Sequence, residues 1–113
     1  MGISKPMKPA VFHVLLALAG GDSYGYAIMQ AVREQSRGLV PLQTGSFYRH
    51  LAWLLESKLV TETAGPRTAD ARRGSYYRIT ALGRRALATE QLRLRELLST
   101  VESLAPAERK GSA

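Results

Sequence analysis

The sequence has no cysteine and no apolar run long enough to cross a membrane. Without cysteine the chain can form neither a disulfide nor a thiolate metal site. Its longest apolar run, residues 11–19, follows Lys5 and Lys8 but is far shorter than the roughly 20 residues of a spanning helix. We do not interpret it as a secretory signal, because His13 interrupts it and its removal would delete the first predicted helix. We therefore expect a cytoplasmic protein with no membrane partner.

Acidic residues are also few, at 9 against 16 lysines and arginines, and the formal net charge is +7. The excess is uneven, because residues 65–95 hold eight arginines against Asp70 and Glu90. A basic surface favours an anionic partner such as nucleic acid, a membrane surface or an acidic protein. The concentration of arginine in one segment is more typical of a docking surface than of a general aid to solubility.

Residue patterns that carry catalysis are missing as well. The two histidines, His13 and His50, lie in different predicted helices, and we see no carboxylate pair, metal-ligand cluster, glycine-rich phosphate loop or Ser-His-Asp pattern. His13 stands inside an apolar helix, where we expect it to be a packing residue. The sequence therefore predicts a protein that is not an enzyme and that needs no cofactor or metal.

The 113 residues are enough for one domain with a small core. We predict a flexible arm over residues 1–9, a compact domain over residues 10–80, a long helix over residues 81–104 and a disordered tail over residues 105–113. Because the core is small, association with a second copy would usefully extend it.

The compact domain opens with two short helices, over residues 10–19 and 24–36. Asp22 or Ser23 is expected to cap the second of them. Tyr26 follows the helical spacing of the second helix, so we interpret it mainly as a packing residue.

A third helix is predicted from Thr44, which stands where a side-chain cap belongs. Its apolar face contains Phe47, Leu51, Leu54 and the stem of Lys58, at spacings of four, three and four residues. The opposite face is unusual, because it lacks the glutamates and lysines of most solvent-facing helices. The residues of that face and its flanks are Gly45, Ser46, Tyr48, Arg49, His50, Ala52 and Trp53.

Two short strands, “LVTETA” and “SYYRIT”, follow the third helix. In the second strand Tyr77 and Ile79 share one face, and Tyr76 lies on the other. The ten residues between the strands are too many for a tight turn. We expect them to form a mobile hairpin tip. The tip carries Arg67, Arg72 and Arg73.

The final helix has Thr80 as its expected cap and Pro106 beyond its end. Apolar residues recur along it as a seam, which polar residues beginning at Glu90 interrupt. In a monomer the seam would have to fold back on a small core, whereas a second copy could bury it along its whole length, about 25 Å. We therefore predict a homodimer. Its interface residues are expected to be Leu87, Leu94, Leu97, Leu98, Val101 and Leu104.

Three short helices, a hairpin with a long basic tip and a longer helix follow the order of a winged helix-turn-helix domain. The predicted fold class is therefore mainly α with a small β-hairpin, plus a C-terminal dimerisation helix. An α-helix fits the major groove of DNA, where each base pair shows a distinct pattern of donors and acceptors. A helix that enters the groove needs small or reaching polar groups, which explains the outer face of the third helix.

The predicted DNA contacts come from the third helix and the hairpin. Arg49 can reach guanine or phosphate, and the hairpin arginines can contact the backbone or the minor groove. Each of these residues also has an interpretation without DNA contact. Tyr48 could pack at the edge of the core, Ser46 could serve only as a cap, and the arginines could be solvated. The predicted contact residues are Thr44, Gly45, Ser46, Tyr48, Arg49, His50, Arg67, Arg72, Arg73 and Tyr76.

Trp53 has three interpretations on the outer face of the third helix. It could stack against the hairpin, line a small-molecule effector pocket at a dimer interface, or be half-buried by its neighbours. A molecule bound there could change the distance between the third helices of the two copies in a dimer.

Three stretches, “LLALAGGDSYGYAIMQAV”, “TGSFYRHLAWLLESKLV” and “RRGSYYRITALGRRAL”, resemble the PadR family of bacterial transcriptional regulators. The resemblance covers roughly residues 9–98. It implies a dimeric winged-helix repressor with a single C-terminal dimerisation helix. It also implies that Tyr48, Arg49 and the basic wing touch DNA.

The function we predict is that of a homodimeric, nucleoid-associated regulator that reads a palindromic operator. Its half-sites would lie about 10 base pairs apart, or a multiple of that. The alternative is a winged-helix module that binds protein or structured RNA without DNA sequence specificity.

Overall fold

The computed structural model describes residues 5–104. The predicted tail with Pro106, and residues 1–4 of the predicted arm, lie outside the described residues. The elements are α1 (Pro9–Ala19), β1 (Ser23–Tyr24), α2 (Gly25–Gln35), α3 (Thr44–Glu56), β2 (Val60–Thr63), a 3₁₀ turn (Ala71–Arg73), β3 (Tyr76–Ile79) and α4 (Ala81–Leu104). This order confirms the predicted winged helix-turn-helix class. No helix between residues 5 and 104 is long and apolar enough to cross a membrane.

The core lies where α1, α2 and α3 meet one face of the sheet. α3 contributes Phe47, Leu51 and Leu54, all at most 2 % exposed, which confirms its predicted apolar face. Burial of each such side chain contributes about 1.5–3 kcal/mol. The helix ends at Glu56, so Lys58 does not extend this face as expected. It lies instead in an exposed turn with a φ of 62°.

The sheet has three antiparallel strands in the order β1-β3-β2, one more than the predicted hairpin. Ser23, an expected helix cap, instead pairs with Tyr77 of β3, and α2 begins without a side-chain cap. A strand of two residues has no alternation of its own, so the sequence pattern could not reveal it. Asp22, the other expected cap, accepts hydrogen bonds from Arg78 at 3.0 and 2.8 Å.

The beginning of α4 packs directly against the turn that leads into β2. The Thr80 hydroxyl accepts the backbone N–H of Gly83 at 3.0 Å, which confirms Thr80 as the cap, and donates to the carbonyl of Lys58 at 2.6 Å. Gly83 leaves no room for a side chain, because a Cβ atom there would lie 2.1 Å from the carbonyl oxygen of Leu59. The cap at Thr80 and the close approach of Gly83 to Leu59 therefore fix the direction in which α4 leaves the domain.

Only the first half of α4 packs on its own domain. Leu87 is partly buried against the core, so the apolar seam available to a partner begins after it. Glu90 is buried and accepts hydrogen bonds from Arg93 Nε at 3.0 Å and the Met7 amide at 3.4 Å. The bond from Arg93 outweighs burial and holds the pKa of the Glu90 carboxyl below its ordinary value. The radius of gyration is 17.0 Å, against about 13 Å for a compact domain of this size, because the rest of α4 projects outward.

Candidate nucleic-acid interface

The N-terminal turn of α3 is open to solvent. Gln43 occupies the cap position without a side-chain hydrogen bond, so the expectation that Thr44 is the cap is wrong; Thr44 is the first helical residue. Gly45 is exposed, and a Cβ atom built there would meet nothing within 4 Å. The Ser46 hydroxyl donates to the Gln43 carbonyl at 3.0 Å, so it is already used within the helix. The first turn therefore presents backbone and small side chains.

Tyr48 lies across the beginning of α2. A Cβ atom at Gly25 would be 2.6 Å from the Tyr48 hydroxyl oxygen, so the ring can lie there only because residue 25 is glycine. The ring also makes an edge contact with Phe47 at 4.8 Å between centroids. Tyr48 is nevertheless 47 % exposed, which leaves one side of its ring free. The sequence left Tyr48 either as a DNA contact or as a packing residue at the edge of the core. In the structure its ring packs on α2 and Phe47 and also keeps an exposed side.

The next turn of α3 forms one wall of a cleft of about 570 Å³ between α3, α4 and the segment before α1. Arg49, His50 and Trp53 lie on this wall, and Trp53 is 51 % exposed. Burial, with help from the positive charges of Lys8 and Arg49, lowers the pKa of His50, so its ring is mainly neutral at pH 7. The residues that complete the cleft include Lys5, Met7, Val11, Leu59, Thr89 and Glu90.

The hairpin tip, predicted to be mobile, contains the 3₁₀ turn Ala71–Arg73. The Asp70 carboxylate caps this turn by accepting the backbone N–H of Arg72 at 2.9 Å, and it forms an ion pair with the Arg72 guanidinium at 3.3 Å. Arg67, Arg72 and Arg73 are all exposed, as expected. Arg73 differs from the other two in its contacts, because its guanidinium donates to the Tyr76 hydroxyl at 3.1 Å and lies over the Tyr24 ring. The arginines of the tip are therefore held in different ways.

Two tyrosines are placed differently from expectation. Tyr76, predicted as a DNA contact, is only 6 % exposed. Tyr26, interpreted as a packing residue, is 65 % exposed at the second position of α2, because the buried stripe of this helix runs through Gly25, Ile28 and Val32. The buried face of α2 therefore begins at Gly25, one residue before the position expected from the aromatic ring of Tyr26. As a strand residue, Tyr76 could equally pack within the sheet or contact the DNA backbone, and its burial favours packing.

The second half of α4 presents an apolar face that its own domain does not cover. Exposure rises along this face, from 39 % at Leu94 to 74 % at Leu104. The exposed members of the predicted seam are Leu94, Leu97, Leu98, Val101 and Leu104. A contiguous apolar stripe of this length marks a protein interface more often than a bare surface.

The exposed polar and apolar side chains of these surfaces are suited to binding and orienting a ligand. Within residues 5–104, no group of His, Asp and Glu side chains could hold a metal ion. His13, whose Nδ1 lies 3.0 Å from Gln35 Nε2, is a packing residue as expected.

Residues 14–89 match the family model described as “Transcriptional regulator PadR-like family”. No curated protein sequence matches the chain. Among solved structures, a transcriptional regulator from Clostridium thermocellum is 28 % identical, with a TM-score of 0.65 over 83 % of this chain and 86 % of that one. A PadR family transcription regulator from Clostridium difficile is 20 % identical, with a TM-score of 0.72 over 86 % and 98 % of the two chains. A PadR-like transcriptional regulator from Bacillus cereus is 22 % identical, with a TM-score of 0.69 over 85 % and 90 %. The last two likenesses concern the fold alone.

Proposed function

The chain belongs to the PadR-like family of transcriptional regulators, and from that premise we propose that it represses transcription as a homodimer bound to a palindromic operator. As a member of this family it is a DNA-binding regulator and not an enzyme. We expect it to act in the cytoplasm, on the nucleoid. The proposal covers the symmetry of the operator, the residues that touch DNA, the dimer interface and the response to a small molecule.

The observation that carries the proposal is the division of α3 into a buried and an open face. Phe47 and Leu51 anchor the helix in the core, while Gly45 and Arg49 stay exposed on the other side. A helix fixed by its inner face and uncrowded on its outer face can lie in the major groove with its N-terminal turn towards the bases. We assign groove entry to Thr44 and Gly45, and base or phosphate contact to Tyr48, Arg49 and His50.

The hairpin supplies the second contact. Arg67 and Arg72 extend from the tip, where they can neutralise backbone phosphates or enter the minor groove. Neutralised phosphates release counterions, so binding should weaken strongly as salt rises. Tyr76 is too deeply buried for direct contact, and we assign it instead to holding the hairpin in place.

Dimerisation is supported by the uncovered face of α4. Within residues 5–104, the exposure of this apolar face is 39 % at Leu94 and reaches 74 % at Leu104. Burying such a face contributes about 25 cal/mol per Å² of apolar surface. A two-fold symmetric pair would also present two α3 helices, which is the arrangement that a palindromic operator requires.

Arg49→Ala tests the assignment of α3. We expect it to weaken binding to the preferred operator by about 1–3 kcal/mol, with relaxed specificity at the contacted position. The operator would first be selected from a randomised pool of duplexes, and affinities would then be measured by gel-shift titration. Arg95→Ala, which removes the same charge from the exposed surface of α4, is the matched control and should change affinity little. Equal losses for the two variants would contradict the assignment.

The alternative function, a module that binds RNA or protein through the same basic face, predicts a different titration. The wild-type protein would then bind random duplexes, the selected duplex and structured RNA with equal affinity. A preference of at least about tenfold for one duplex sequence is what a regulator requires, since non-specific sites greatly outnumber operators.

The cleft beside Trp53 is where we place a small-molecule effector. Its volume of about 570 Å³ is within the usual range for ligand pockets. Arg49 and Trp53 belong both to its wall and to α3, so an occupant would press on the helix proposed to read DNA. A ligand can shift DNA affinity only if it binds the free and the DNA-bound protein differently, and this shared wall supplies that difference.

Trp53 is the sole tryptophan and therefore reports occupancy of the cleft. We expect anilinonaphthalene sulfonate, an apolar anionic probe, to quench Trp53 fluorescence saturably. Thr89→Phe should abolish this quenching, because Thr89 lines the cleft. Ala88→Phe, on the exposed side of the same helix turn, is the control and should leave it intact. Quenching that survives Thr89→Phe would place the probe elsewhere.

A further inference from the structure

Arg73 is held by two tyrosines from different parts of the chain. Its Nη1 donates to the Tyr76 hydroxyl at 3.1 Å, and its guanidinium carbon lies 4.9 Å from the centre of the Tyr24 ring. Tyr24 and Tyr76 are direct cross-strand partners of β1 and β3, with ring centres 5.4 Å apart. One hydrogen bond and one cation–π contact therefore occupy both an N–H group and a face of the guanidinium.

The Tyr76 ring is itself fixed from the other end of the hairpin tip. A Cβ atom at Gly65 would lie 2.5 Å from a carbon of this ring, so the backbone at residue 65 rests directly on it. Gly74, with a φ of +75°, makes the turn between Arg73 and β3 that an L side chain rarely allows. The two ends of the tip thus meet on one buried ring.

Tyr24 also connects the hairpin tip to α3. It immediately precedes Gly25, the residue on which the Tyr48 ring lies. A continuous line of contacts therefore runs from Arg73 through Tyr24 and Gly25 to Tyr48. The sequence separation of these residues is large, and only the short strand β1 brings them together.

We infer that Arg73 is a positioning residue which, with Tyr24 and Tyr76, clamps the hairpin tip at a fixed distance from α3, while Arg67 and Arg72 make the DNA contacts of the tip. The inference rests on the proposed DNA binding. A tip that is already ordered loses less conformational entropy when it meets DNA, and its arginines are held in register with those of α3.

The conservative variant Arg73→Lys separates positioning from charge. Lysine keeps the positive charge but has neither the planar fork nor the stacking face of arginine. We expect Arg73→Lys to weaken operator binding on the order of tenfold, close to the effect of Arg73→Ala, because ordering of the tip is lost in both. Arg95→Lys, on the exposed surface of α4 and outside the proposed DNA contacts, is the matched control and should keep wild-type affinity. Arg72→Ala, which removes a proposed phosphate contact, should lower the slope of log affinity against log salt by about one counterion.

Tyr76→Phe removes only the hydroxyl that accepts the bond from Arg73. We expect faster amide hydrogen exchange over residues 66–74 in Tyr76→Phe and in Arg73→Lys, with exchange in α1 and α3 unchanged. Wild-type affinity for Arg73→Lys, together with a lower salt slope for Arg73→Ala, would show that Arg73 is a plain phosphate contact and would overturn the inference. Unchanged exchange over the tip in both variants would also overturn it. Failure of the wild-type protein to prefer any duplex would instead refute the proposed function, and the exchange measurement would still decide on the clamp.

Discussion

Gly83→Ala is expected to lower the free energy of unfolding by about 3 kcal/mol or more, which is at the upper end for adding a single methyl group. The added Cβ would lie 2.1 Å from the carbonyl oxygen of Leu59 and 2.8 Å from Cγ1 of Ile79. Neither neighbour can yield easily, because the Leu59 carbonyl accepts the Thr80 amide at 3.0 Å and the Ile79 side chain is buried. The beginning of α4 would have to move away from the sheet. Urea unfolding followed by circular dichroism, at one fixed protein concentration, measures the change.

Gly45→Ala is the control for this experiment. Gly45 is also helical, but a Cβ atom there meets nothing within 4 Å. Alanine at an open helical position should leave stability unchanged or raise it by up to about 1 kcal/mol. Equal destabilisation by both substitutions would show that the close approach of Gly83 to Leu59 does not exist in solution.

Leu98→Asp is expected to have the largest effect on association. Leu98 is 57 % exposed in the single chain, so its replacement disturbs little within one domain. At a dimer interface, however, an unpaired carboxylate would lose its water, which costs several kcal/mol. We expect the dimer dissociation constant to rise at least about a hundredfold, with a matching loss of operator binding. Sedimentation equilibrium and gel-shift titration of the same samples provide the measurement.

Ser99→Asp introduces the same charge one residue further along, about 100° round the helix from Leu98. It lies away from the apolar seam and should leave a dimer. A dimer that survives Leu98→Asp would mean that another surface joins the two copies. Circular dichroism should show unchanged folding of α1 to α3 in both variants.

The sequence predicted those features that depend on neighbouring residues. The spacing of Phe47, Leu51 and Leu54 was enough to identify the buried face of α3, because a helix of known period has one solution for three such positions. Thr80 was recognised as a cap for the same local reason. The family resemblance agreed with both and is confirmed by the match over residues 14–89.

Features that depend on contacts between distant segments were missed. Strand β1 exists only because Ser23 and Tyr24 pair with β3, and a segment of two residues has no alternating pattern from which a strand could be predicted. For the same reason the sequence predicts the same role for Arg72 and Arg73. In the structure Arg72 pairs with Asp70, whereas Arg73 contacts Tyr76 and Tyr24. Spacing along the chain can show that a residue is exposed on its own element, but it cannot show which other element comes to cover it.

The uncovered half of α4 has a consequence for how the regulator would respond to its own abundance. Because the described residues 5–104 leave the apolar face of this half exposed, the proposed operator-binding species would form by pairing, and its amount would rise with the square of the monomer concentration below the dissociation constant. Occupancy of a promoter would then increase steeply over a narrow range of expression instead of in proportion to it. A cell could switch the regulated gene by a modest change in the dosage of this protein.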